Sequence, residues 1–334
     1  MATPSTRALK VGLILPHWTA LPPDVPYWWQ TELNGDIPRW IELRAMARQA
    51  EAAGFDSLWL VDHLLIRSAA VNKQYDRPVP RSLAAAGPIG VWECWSLLAA
   101  LAAVTERIEL GPLVSCTGYR NPALLAKMAT TVDEISAGRL ILGLGAGDYE
   151  DEHRSFGMRW DHRVGRFAEA LAIIHPLLKR GSVDFAGEYY QARDCKLLPS
   201  GPRPEGPPIL IGALGHGPRM LDLTARFADI WNGWIANRRT HPDVVPLLRH
   251  AVDAACLAAG RDPSTLARAL TVGVAFGGRE TWGGEPLRGS AEAIAESFRA
   301  FAREGIGHLH VWLNPMTAEG IDQLTEVLHC LDHG

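Results

Sequence analysis

A chain of 334 residues with 47% hydrophobic and 21% charged side chains has the make-up of a globular enzyme that can bury a genuine core. Its formal net charge of −4 gives no electrostatic reason to bind nucleic acid or an anionic membrane surface. The five cysteines (Cys94, Cys116, Cys195, Cys256, Cys330) are scattered and contain no C-x-x-C pair, so spacing supports neither a disulfide framework nor a zinc knuckle. The first apolar run ends at Leu15 and is too short for a signal peptide, and Cys94–Val104 is too short to span a bilayer. A reduced, cytoplasmic protein with no membrane contact is the expectation.

In chain order, strand-like apolar runs alternate with helical patterns. Val11–Leu15 precedes a helix over Ile37–Ala53; Ser57–Val61 precedes one over Trp92–Thr105; Ile108–Val114 precedes Pro122–Ser136. Leu140–Gly143 is followed by His162–Arg180, Ile209–Gly212 by Pro218–Phe227, and Asp229–Asn232 by Pro242–Ala259. Leu270–Val274 with Ser290–Glu304, and His308–Leu313 with Ala318–Leu331, complete the series. Asn121-Pro122 and Ala137-Gly138 bracket one helix, and Ser290 opens another that Gly305 ends. Eight such units, with near-continuously apolar strands, predict an α/β fold of the (β/α)8 TIM-barrel type rather than an open doubly wound sheet. Residues 16–36, 64–91 and 275–289 are long Pro-, Gly- and aromatic-rich stretches after strands one, two and seven. They therefore emerge at the end of the barrel where chemistry sits. A fourth stretch, 183–207, follows helix four.

The most informative run is Arg139-Leu-Ile-Leu-Gly-Leu-Gly-Ala-Gly-Asp148. Glycines at the end of a strand let the backbone turn and bring N–H groups against a flat or anionic ligand. Gly143, Gly145 and Gly147 alternate, and Asp148 stands where a G-x-G-x-x-G fingerprint needs its third glycine, so this is not a dinucleotide loop.

Strand two ends in Asp62-His63, which reads either as an acid or base near neutral pH or as a turn-capping Asp beside an exposed His. After strand three, Ser115, Cys116 and Thr117 could bond the edge of a heterocycle. Arg120 could pair an anion or a buried acid, or form a structural salt bridge. Strand five runs through Gly212-Ala-Leu-Gly215-His-Gly217-Pro-Arg219 into a helix, which suits a phosphate or is simply a short turn. His308 and His310 share a strand face but have no third ligand at supporting spacing, so hydrogen-bonded core histidines are expected and no metal. Trp18, Trp28, Trp29, Trp92 and Trp95 flank the long loops and could wall a pocket for a flat or apolar substrate. No G-x-S-x-G elbow is present.

Together these residues resemble the bacterial-luciferase-like flavin or deazaflavin oxidoreductases over nearly the whole chain. The resemblance rests on Gly54-Phe-Asp-Ser-Leu-Trp-Leu-Val-Asp62-His63, Tyr119-Arg-Asn-Pro-Ala-Leu-Leu-Ala-Lys127, Asp133-Glu-Ile-Ser-Ala-Gly-Arg139 and Gly143-Leu-Gly-Ala-Gly-Asp148 with Glu152 and Phe156-Gly157. Phe185-Ala-Gly-Glu-Tyr-Tyr190, Pro208-Ile-Leu-Ile-Gly212 and Ala228-Asp-Ile-Trp-Asn232 follow in the family's order.

The family resemblance implies a single barrel domain over residues 1–334, commonly dimeric. It also implies either hydride transfer with coenzyme F420 or oxygen chemistry with reduced FMN, the latter fed by a separate reductase. Ala146 stands where luciferase holds the FMN phosphate with an arginine, and the Gly-x-Gly-x-Gly-Asp loop resembles deazaflavin-dependent reductases, so F420 is the expected cofactor and FMN the alternative. The resemblance places His63 and Asp62 in catalysis. Asp62, Leu113, Val114, Ser115, Cys116, Gly145, Ala146, Gly147 and Asp148 would lie around the cofactor ring, and Gly212, Ala213, Leu214, Gly215, Gly217 and Arg219 at its phosphate. His17, Trp18 and Trp234 would wall the substrate side. A non-prolyl cis peptide between Leu113 and Val114 is also implied, and a non-catalytic flavin-binding barrel is the remaining reading.

Overall fold

The computed structural model describes residues 7–18, 37–66, 88–213, 217–236, 238–277 and 284–333. Within these, β1 (Lys10–Ile14), β2 (Ser57–Leu60), β5 (Glu109–Pro112), β6 (Ser115–Cys116), β7 (Leu142–Gly145), β10 (Ile209–Gly212), β11 (Ile230–Trp234), β12 (Ala267–Ala275) and β13 (His308–Asn314) form one parallel sheet. Its order is β5-β2-β1-β13-β12-β11-β10-β7-β6. The two ends of that order are two parts of a single stave. β5 pairs with β2, β6 pairs with β7, and a bridge from Leu110 to Leu140 closes the ring. The result is a barrel of eight staves, as the alternating pattern predicted. The third stave is interrupted between Pro112 and Ser115, and there the Leu113–Val114 peptide is cis, as expected.

Eight major helices follow the staves: α1 (Trp40–Ala52), α2 (Cys94–Val104), α3 (Pro122–Ile135), α5 (Arg163–Arg180), α6 (Pro218–Phe227), α7 (Val245–Ala258), α8 (Ala291–Arg303) and α9 (Ala318–His333). A short α4 (Glu150–Ser155) intervenes after β7. Local chemistry sets the starts. Glu93 accepts from the Trp95 and Ser96 amides to cap α2, and Asn121 caps α3 ahead of Pro122. Alternate strand residues face outward onto these helices (Val11, Leu13, Leu58, Leu60, Leu309, Val311) and build the larger core. Their neighbours Ile14, Trp59, Val61, Leu210 and Trp312 fill the barrel interior.

Three departures from the sequence pattern have physical causes. The stretch 183–207 contains an antiparallel hairpin, β8 (Ser182–Ala186) and β9 (Gln191–Lys196), whose alternation, Val183 and Phe185 inward between exposed neighbours, is too short to stand out. The pair β3 (Leu65–Ile66) and β4 (Ile89–Gly90) is too short to show any period. At the barrel floor, Ser57 Oγ meets His308 Nε2 at 2.8 Å, whereas neither ring nitrogen of His310 has a partner among the described residues. The expectation of two hydrogen-bonded histidines holds for His308 alone. Burial keeps both rings neutral, His308 at about 3 and His310 well below its usual range.

The fourth strand begins and ends two residues later than its apolar pattern suggested, so Gly145 as well as Gly143 lies within β7. Their role is packing. A Cβ on Gly143 would lie 2.0 Å from the Pro112 carbonyl oxygen, and one on Gly145 would lie 2.6 Å from Val114 Cγ2. These glycines therefore admit the broken third stave into the barrel mouth. Gly145→Ala should destabilise by about 1–3 kcal/mol through overpacking, and Val114→Ala should relieve most of that loss. Gly143→Ala meets backbone and should gain nothing from Val114→Ala. Denaturant melts of the single and double variants test this; equal rescue at both positions would contradict it.

Candidate functional site

The strand C-termini converge on a mouth whose polar residues fall into two linked networks. The first is centred on Asp62, which follows β2 and is buried. Arg120 grips it through two bonds of 2.6 and 3.0 Å, the Ser115 hydroxyl donates at 2.7 Å and the Cys116 amide at 3.2 Å. Trp95 Nε1 donates in turn to Ser115 Oγ. A bidentate guanidinium and two further donors occupy this carboxylate. Asp62 thus ties the second stave to the third and is not available as an acid or base beside His63, contrary to expectation. The Ser115 hydroxyl is committed to the same network, and Trp95 backs it from the core instead of walling a pocket.

The second network is centred on Glu152, on α4. It is buried and accepts four hydrogen bonds: the Leu64 and Leu65 amides at 2.7 and 2.8 Å, the Tyr119 hydroxyl at 2.7 Å and His63 Nδ1 at 2.9 Å. Desolvation works against its charge, but the imidazole and these donors hold its pKa below the ordinary carboxylate range. Burial also opposes a proton on His63; the Glu152 carboxylate, helped by Asp148 and Asp62, outweighs it and lifts His63 to about 9. His63 is therefore an imidazolium at neutral pH, with Nδ1–H committed to Glu152. The sequence quoted Glu152 and Tyr119 only within motifs and gave neither a role. Their signal was helical spacing from Asp148 and adjacency to Arg120.

The glycine loop closes over a third pair. Gly147 has φ +81°, and a Cβ there would sit 2.6 Å from Cys116 Sγ and 3.0 Å from His153 Cε1. His153 donates from Nδ1 to the Tyr149 carbonyl at 2.9 Å, so Nε2 accepts from the Cys116 thiol at 3.7 Å. Burial raises the Cys116 pKa, which keeps the thiol protonated and un-nucleophilic. Arg163 donates to the Gly147 carbonyl and lies over the Trp160 ring at 3.9 Å.

An aromatic wall borders the mouth on the side of the first and last staves. Trp18 stacks on Trp312 at 5.1 Å with an interplanar angle of 23°, and Trp234 meets Trp312 edge-on at 5.3 Å. His17 is buried, its ring between the Leu15 and Val61 carbonyls at 3.1 and 2.9 Å, so it staples β1 to β2 and does not face a substrate. Trp312 was not anticipated. Leu113 is buried in the interior cluster, and Val114 lies between Gly145 and Gly212. Ala213 is buried, with its amide and carbonyl bonded to Asn232 and Trp231. Ala146 is half-buried and Asp148 exposed at the end of the glycine loop, while Gly217 and Arg219 lie exposed at the start of α6. Leu214 and Gly215, like Trp28 and Trp29, lie outside the described residues.

Because the folded His63 pKa exceeds its ordinary 6.5, the stabilisation from the His63–Glu152 pair is full below pH 6.5 and disappears as pH rises through about 9. The stability gap between the native chain and Glu152→Gln should follow that course in urea melts from about pH 6 to about pH 10. A gap that stays constant over this range would refute the charged pair.

Comparison with known proteins identifies the family. The family model described as luciferase-like monooxygenase matches residues 25–302. The phthiodiolone/phenolphthiodiolone dimycocerosates ketoreductase of Mycobacterium tuberculosis is 31% identical over 293 residues, covering 83% of this chain and 72% of that enzyme. The 5,10-methylenetetrahydromethanopterin reductase of Archaeoglobus fulgidus is 33% identical over 223 residues, covering 67% and 57%. Among solved structures, an F420-dependent secondary alcohol dehydrogenase in complex with an F420-acetone adduct superposes with a TM-score of 0.73 at 17% identity, covering 97% of this chain and 99% of that one, and shares its fold. Barrel, motifs and match extend over most of the chain, which belongs to the luciferase-like monooxygenase family.

Proposed function

We propose that this chain is an oxidoreductase that uses coenzyme F420 to reduce a carbonyl or imine carbon of a small or apolar organic substrate. The observation that carries the reading is the His63–Glu152 pair. An imidazolium at the mouth is a proton donor, and reduction of C=O or C=N needs a proton at the heteroatom while hydride arrives at carbon. The bound deazaflavin would supply that hydride from its central carbon.

The chain's own residues do the rest. His63 Nε2–H stabilises the developing negative charge and delivers the proton, and Glu152 keeps the ring charged and fixed in orientation. Tyr119 and the Leu64 and Leu65 amides hold Glu152 itself. Asp62 with Arg120 positions the third stave, so that Val114 forms the floor for the ring. Trp18, Trp312 and Trp234 exclude water on the substrate side. Gly145–Asp148 would border the ring and Gly212, Ala213 and Gly217 the phosphate. The names of the ketoreductase and reductase relatives support reduction as the direction.

A two-fold dimer is part of the same reading. α2 carries no charged residue, and its neighbour α3 exposes Leu124 and Ile135 on one face with Met128 and Thr131 between them. An uncharged helix beside an apolar stripe on a barrel's outer surface suits a second copy. Light scattering should give twice the chain mass, and Leu124→Glu should yield monomer.

The cofactor assignment is tested by titrating the purified protein with F420 and with FMN. Micromolar binding of F420 and at least tenfold weaker FMN is expected; the reverse order would establish the monooxygenase alternative, and binding of neither would favour a non-catalytic barrel. His63→Gln should lower kcat about 10²-fold or more while leaving the F420 Kd nearly unchanged. An equal effect on both would refute the acid role.

A further inference from the structure

Beside the glycine loop, Trp160, His162, Arg163, Tyr189 and Arg219 line an open cavity of about 420 Å³. Its chemistry is cationic. Arg219 makes no hydrogen bond or ion pair among the described residues, and Arg163 uses one nitrogen on the neutral Gly147 carbonyl. The carboxylate in the wall, Asp161, is already matched by Arg159 at 2.7 Å and Arg166 at 3.5 Å. The positive charges of Arg163 and Arg219 are therefore left over.

The cations are also preorganised. Arg163 Cζ lies over the Trp160 ring at 3.9 Å and Arg166 Cζ over the Tyr189 ring at 4.7 Å, and His162 stacks on Tyr189 at 5.6 Å and 25°. A guanidinium stacked on an aromatic face keeps its N–H edge available for a carboxylate and loses little side-chain freedom on binding one. The cavity is continuous with the cofactor loops on both sides, through Arg163 to Gly147 and through Arg219 to the start of α6.

We propose that this cavity seats a polycarboxylate extension joined to the cofactor beyond its phosphate. Coenzyme F420 carries such an extension, a chain of γ-linked glutamates, and FMN ends at the phosphate. The inference rests on the F420 reading above and deepens it: the cavity discriminates cofactors by their tails, at a distance from the ring.

The test compares the Kd of F420 bearing several glutamates with that of the same cofactor trimmed to its phosphate, measured by fluorescence titration at low salt. The native chain should bind the long form at least tenfold tighter, with the advantage falling as salt rises. Arg163→Gln and Arg219→Gln should each cut that advantage to about threefold or less. Val164→Glu, which adds an anion to the cavity wall and removes no hydrogen bond, should abolish it and guards against loop damage in the arginine variants. If the native chain binds both forms equally, the tail seat is refuted while the F420 reading stands. If the advantage survives all three substitutions, these residues are not the seat. Failure of either form to bind would overturn the F420 reading and this inference together.

Discussion

The carboxylate of Glu152 is the point at which the mouth of this barrel is tied together. Its two oxygens accept from the turn after the second stave, from Tyr119 after the third and from His63, and the residue itself sits on the short helix after the fourth. A buried carboxylate with four donors is stable only as an anion, and a buried anion is stable only with those donors. Each loop is thus held by the charge it helps to hold. One ionisation state fixes both the shape of the site and the proton on His63.

The barrel was legible because every stave buries both faces, so eight runs of β-branched and aliphatic residues stood out against caps such as Asn121-Pro122 and Ser290. The hairpin at 182–196 was not, since only a few of its side chains, Val183, Phe185, Ala192 and Cys195 among them, reach the core between polar neighbours. Within the site, Asp62, His63 and the glycine run were visible as residues, but their partners were not. Arg120 is 58 positions from Asp62 and Glu152 is 89 from His63. Nothing local marks such pairs, and adjacency misassigned the work: neighbouring Asp62 and His63 belong to different networks. Trp312 was hidden for the opposite reason, as one more apolar residue in an apolar strand.

The glycine run shows how one motif can serve two masters. Gly143 and Gly145 yield space to the third stave, while Gly147 yields space to the Cys116–His153 pair and bends the chain toward Arg163. All three are needed for packing before any ligand arrives. Val114, framed by Gly145 and Gly212, is held in place by that packing.

The contact between Gly145 and Val114 also constrains how this barrel can change over generations. A side chain at 145 is admissible only on a background where 114 has already shrunk, whereas a smaller residue at 114 is admissible at once and leaves a void. Drift through this pair has a favoured order, in which shrinking position 114 first removes the packing cost of enlarging position 145.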